Sequence, residues 1–227
     1  MSETQGKALF NPFVDEAKWD LSTLTYEAWL DLIFQHPVRV EEETNWYWED
    51  EWEYKISDNQ IVFGYLSKLF FDSRILVERY RDEQLEQGFW FLLGPAGFSD
   101  VFWDQNIDRE RRTAAIRSQA ILFKELFAEH PLDTSVNMWW DLFENGYYCD
   151  HQPVDDDDAA IQEAILWTLG DILGMPEWHC VGSALHGLNH LHHPRVPEFI
   201  DYFLATKQGL DEEWIAYALL CREGKAL

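Results

Sequence analysis

His186 and His190, inside "SALHGLNH" from Ser183 to His190, stand four residues apart. On a helix that spacing is just over one turn, so both imidazoles leave the same face and can reach one ion, as paired imidazoles do in helical zinc sites. His179 and His193 extend the face at separations of seven and three residues. At about 100° per residue, Val181, Ala184, Leu185, Leu188 and Leu191 gather opposite as a core stripe, and His192 alone falls near the apolar side.

Three chemistries fit this stripe. The first is a metal. A helical rise of ~1.5 Å per residue puts His179 and His193 about 10 Å along the axis from His186, so one ion would take His186 and His190 alone from this helix. Third ligands would come from flanking helices, with Asp171 and Asp201 as candidates, and zinc would be the ion. "HGLNH" lacks the Glu of H-E-x-x-H, so the zinc-protease general base is missing.

The second is a pH-sensitive surface. From Lys124 to Arg195 there is no intervening Lys or Arg, while thirteen Asp and Glu and seven of the eight histidines lie between them. A negative potential there would favour protonated imidazoles. The third is a binding face made by His179, His186, His190 and His193 together, against which stands the plain alternative of hydrogen-bonded or solvated histidines.

The elements that must position these groups read as helices. Tyr26, Trp29, Leu30 and Ile33 recur at helical spacing and stop at Pro37, and Ile61 to Phe70 form a broader stripe after Ser57 and Asp58. Asp82 opens a segment closed by Gly94-Pro95, a long helix runs from about Ile107 to Glu129, and a short one from Asn137 to Glu144. "EEETNWYWEDEWEYK", Glu41 to Lys55, reads as irregular. Its Trp46, Trp48 and Trp52 serve either as interaction anchors or as a cap on the core.

The last third is the most regular. One helix starts at the cluster Asp155 to Asp158 and ends at Gly174; a second runs from Pro176 to about His192; a third follows Pro194 and ends at Gly209; a fourth starts at Asp211. Short connections make two antiparallel hairpins. The expected fold is all-α, a superhelix of stacked hairpins over a single domain 1–227, irregular but helical over residues 1–150 and built of regular hairpins over residues 151–227. A compact irregular helical bundle is the alternative.

Composition limits the partners. Seventeen Lys and Arg against 42 Asp and Glu leave a net charge of −25, which repels phosphate backbones and anionic lipid and suits a basic protein partner or solubility alone. No apolar run approaches the ~20 residues of a membrane helix, and the first residues lack signal-peptide character, so the expected location is cytoplasmic. Cys149, Cys180 and Cys221 form no Cys-x-x-Cys and should be reduced thiols. Arg109, Arg111, Arg112 and Arg117 make the one positive island, expected to pair with neighbouring acidic helices. No dinucleotide, P-loop or serine-hydrolase motif occurs.

"SALHGLNH", in a helix that follows an acidic one and precedes "PEFIDYFL", resembles the closing segment of HEAT-like or armadillo-like helical repeat proteins, over about the last third of the chain. The resemblance implies an α-α superhelix with a role in binding and supplies no catalytic residue or cofactor. Two functions are therefore expected: an acidic protein-binding module, such as an inhibitor or immunity-type protein for a basic partner, or a metal-binding protein or metal-dependent enzyme centred on His186 and His190.

Overall fold

Apolar residues at helical spacing, bounded by side-chain caps and by Gly or Pro, produce helices α1 (Tyr26–Phe34), α2 (Trp46–Glu49), α3 (Asn59–Phe71), α4 (Arg74–Arg79), α5 (Asp82–Leu93), α6 (Arg109–Leu122), α7 (Asp133–Asn137), α8 (Trp139–Glu144), α9 (Asp156–Leu173), α10 (Trp178–Leu191), α11 (Val196–Thr206) and α12 (Glu212–Arg222). The computed structural model of the chain describes residues 19–38, 46–49, 54–144, 153 and 155–226. Among them the fold is all-α. The one strand pairing is a two-residue parallel contact between β1 (Trp19–Asp20) and β2 (Tyr54–Lys55).

Asp58, Asp155 and Asp211 cap helices at starts that the sequence marks. Thr25, Asp58, Asp108, Asp155 and Asp211 each accept a hydrogen bond from a backbone N–H in the first turn of α1, α3, α6, α9 and α12. This satisfies donors that the helix itself leaves unpaired. Two boundaries differ from the periodicity. The short helix expected from Asn137 begins earlier and is broken at Met138 into α7 and α8. The end of α6 loosens into a π-turn over Phe123–Phe127, which keeps Phe123, Leu126 and Phe127 all buried. The expected irregular stretch Glu41 to Lys55 holds α2 and β2, and its other residues lie outside the described ones.

Packing follows chain order in the second half. α6 packs on both α3 and α9, α9 on α10, and α10 on α12, while α11 touches α9, α10 and α12. The core is strongly aromatic. Trp139 is fully buried, meets Phe70, Phe89, Phe123 and Phe127, and donates its indole N–H to Gln119 Oε1 at 2.7 Å. Trp46 is 6% exposed, stacked on His36 at 3.5 Å and packed on Phe91, so it belongs to the core and not to an open binding surface. The side chain of Trp48 and all of Trp52 lie outside the described residues.

Two arginines of the positive island, Arg112 and Arg117, are paired within the chain. Arg112, 1% exposed, donates Nε to Ile107 O at 2.8 Å and one terminal nitrogen to Phe102 O, and grips Asp157 through both carboxylate oxygens at 2.8 and 2.6 Å. The guanidinium holds the Asp157 carboxyl below the usual carboxylate range, mainly through these hydrogen bonds. Arg117 pairs with Asp171 at 2.6 Å. The acidic start of α9 is thus a helix cap and an ion-pair partner, as "DDDD" suggests. Among the described residues no helix is long and apolar enough to cross a membrane.

Candidate metal centre

α10 is buried on two sides. The predicted stripe Val181, Ala184, Leu185, Leu188 and Leu191 is inaccessible, and so are Cys180 and Ser183 on other faces, because α10 packs against α7, α8, α9 and α12 together. Ser183 donates to Val136 O at 2.6 Å across the contact with α7. The histidine face therefore meets neighbouring elements. His179, His186, His190 and His193 are all half-buried.

Each of the four finds a separate place. His179 Nε2 lies 2.7 Å from Phe127 O at the end of the π-turn. His193 Nε2 lies 3.3 Å from Glu163 Oε2 on α9, beside Arg195, which is 2.8 Å from Glu163 Oε1. His186 and His190 converge on one carboxylate: Asp141 of α8 places Oδ2 at 2.9 Å from His186 Nε2 and Oδ1 at 3.4 Å from His190 Nε2. The two rings are 4.7 Å apart at 65°. His192 is exposed, because α10 ends at Leu191 and His192 turns left-handed with φ 48° as its cap; the helical wheel does not extend to it.

The carboxylates expected as third ligands are occupied elsewhere. Asp171 holds Arg117, and Asp201 holds Arg222 through both oxygens at 2.7 and 3.0 Å. Asp141 takes their place through a close approach of α8 to α10. An added Cβ at Gly187 would lie 2.6 Å from Trp140 Cγ and 2.8 Å from Leu169 Cδ2, so only glycine leaves room for the Trp140 indole against α10. Gly187 falls between the two histidines in sequence, and Asp141 follows Trp140. Buried Trp139, Trp140 and Phe143 fix α8, and that fixes the carboxylate.

One ring nitrogen of each imidazole and a carboxylate oxygen of Asp141 all lie within 4.8 Å of one another, the one such group of three or more His, Cys, Asp or Glu among the described residues. A tetrahedral zinc at ~2.0–2.2 Å from each donor needs donor separations of about 3.3 Å. The observed 2.9 and 3.4 Å are of that size, one to each oxygen of Asp141. Without an ion the same atoms make an ordinary carboxylate–imidazole contact in which Nε2–H donates to Asp141; with one, the proton must sit on Nδ1 and Nε2 must offer its lone pair.

At His190 and His193 the electrostatics oppose the expectation of protonated histidines. Burial lowers the pKa of His190 and of His193, outweighing the opposing pull of Asp141 and of Glu163 respectively. Both groups hold fewer protons folded than unfolded. Their contribution to stability is fully present above the ordinary imidazole value of 6.5 and is lost as the pH falls through it toward the depressed folded values. Urea unfolding with chelator present should show stability falling across this window, before carboxylates titrate, and His193→Gln should flatten the slope; a flat profile in the parent protein contradicts it.

Gly187→Ala tests the construction of the site. Overpacking of this kind costs about 1–3 kcal/mol, against a helix-propensity gain of about 1 kcal/mol. Net destabilisation on urea unfolding is expected, with Asp141 displaced from the histidines. A stability gain would show that Trp140 and Leu169 yield freely.

Cys180 and Cys221 are buried, and burial raises both thiols, to about 12 and about 11. Neither is a nucleophile or joins the cluster. Cys149, with His151, lies outside the described residues.

These features define the class: an all-α protein with a carboxylate–dihistidine cluster between two packed helices. No protein-family model, no curated protein and no solved structure matches the chain. None of these comparisons bears on the resemblance to HEAT-like repeats.

Proposed function

We propose that the protein binds one divalent transition-metal ion of the zinc type through Asp141, His186 and His190. The observation that carries this reading is the convergence of three donor atoms from two helices within 4.8 Å. Imidazole and carboxylate donors in this number suit zinc and its borderline neighbours, whereas calcium and magnesium prefer oxygen alone. The lowered pKa of His190 favours the neutral imidazole that a metal requires.

The ion would join α8 to α10, so binding and folding are linked. A ligand at about 100 times its Kd stabilises the folded state by about 2.7 kcal/mol, or roughly 5–10 °C in melting temperature for a chain of this size. Melting with excess zinc and with chelator should differ by that amount in the parent protein. The shift should vanish in the double variant His186→Gln, His190→Gln. Equal shifts in both proteins overturn the assignment.

A second reading has its own support. The net charge is −25 while Arg112, Arg117, Arg195 and Arg222 are all paired within the chain, leaving a surplus of carboxylates for a basic protein partner. Helices α9 to α12, joined by short connections, support the HEAT-like α-α superhelix in which such an acidic module would be presented. Direct binding of nucleic acid is disfavoured by the same charge.

A further inference from the structure

We propose that the bound ion keeps one exchangeable position open to solvent, which takes a small anionic oxygen or nitrogen donor. This rests on the metal reading above and adds what the centre can do: hold a ligand that comes and goes, as a reactive centre must and a structural one does not.

Two observations and one rule of zinc coordination carry it. Asp141, His186 and His190 supply three donors, and zinc takes at least four. Closed structural sites fill the fourth place from the protein, whereas sites with three protein ligands fill it with water or substrate. All three side chains are reached by solvent, at 25% exposure for Asp141, 21% for His186 and 29% for His190. Among the described residues the cluster lies between α8 and α10 with part of each side chain open to solvent.

The charge of the loaded centre is suited to an anion. One carboxylate and two neutral imidazoles leave a divalent ion with one net positive charge at the position facing solvent. This is a local exception in a chain of net charge −25. Glu163, the carboxylate beside His193, is paired with Arg195 at 2.8 Å. A carboxylate, a phosphoryl oxygen or azide would therefore meet attraction at this point and repulsion over much of the remaining surface.

Cobalt(II) in place of zinc makes the coordination visible. The full-length protein is loaded with one equivalent of Co(II), its visible d–d spectrum is recorded, and sodium azide is titrated in, with the double variant His186→Gln, His190→Gln as control. The expected result is a saturable single-site change in the parent protein, absent from the control. If Co(II) binds at one equivalent and the spectrum stays unchanged at saturating azide, the fourth position is closed; the inference falls and the metal assignment survives. If Co(II) does not bind above the control, the metal assignment fails and this inference fails with it.

Discussion

Arg112→Met is expected to cost about 3–5 kcal/mol of stability, the range for breaking a buried ion pair by removing one partner. Four hydrogen bonds leave together, two to the carbonyls of Ile107 and Phe102 and two to Asp157. Methionine fills the volume and satisfies none of these acceptors. For a chain of this size the loss corresponds to roughly 6–20 °C in melting temperature. Urea unfolding near neutral pH measures it directly. The double variant Arg112→Met, Asp157→Leu should recover some of the loss, because the orphaned carboxylate is removed as well. A single-variant loss below about 1 kcal/mol, the worth of an exposed pair, would show that solvent reaches this guanidinium.

Asp141→Ala is expected to weaken zinc binding at least about 100-fold, since even partners outside the ligand set are worth about 10–100-fold in metal sites. Stability without metal should change little, by about 0–1 kcal/mol, because the carboxylate–imidazole contacts are half-exposed. The contrast is diagnostic. If Asp141 only anchors α8, its removal costs stability and leaves zinc binding by the two imidazoles unchanged. Calorimetric zinc titration beside a thermal melt of the same variant separates the two roles.

Local rules made most of the helices legible. Capping Asp residues, together with Gly94, Pro37 and the glycines that follow α9, α11 and α12, mark boundaries that depend on neighbours in sequence. The pairing of His186 with His190 is likewise a property of one helix turn. Asp141 was not legible because it lies 45 residues from His186 and reaches it only through the contact of Trp140 with Gly187. Its one signal is an acid set among Trp139, Trp140 and Phe143: such a helix must bury its rings, which leaves the carboxylate at the edge of the contact.

The adjacent helices offered Asp171 and Asp201 instead, and sequence alone does not show that Arg117 and Arg222 face them. His192 failed for a different reason. The wheel assumes a continuing helix, and the chain turns at that residue. The direction of the histidine pKa values also depended on packing, since the acidic interval is visible in sequence while the burial that outweighs it at His190 and His193 is not.

Competition for zinc between the protein and a chromophoric chelator of known affinity tests the metal centre most directly, with the parent protein and the His186→Gln, His190→Gln double variant measured side by side at neutral pH. The geometry of Asp141, His186 and His190 predicts one equivalent of zinc withdrawn from the chelator by the parent and none by the variant. Identical curves for the two proteins would contradict it, leaving the cluster as a hydrogen-bonded contact between α8 and α10.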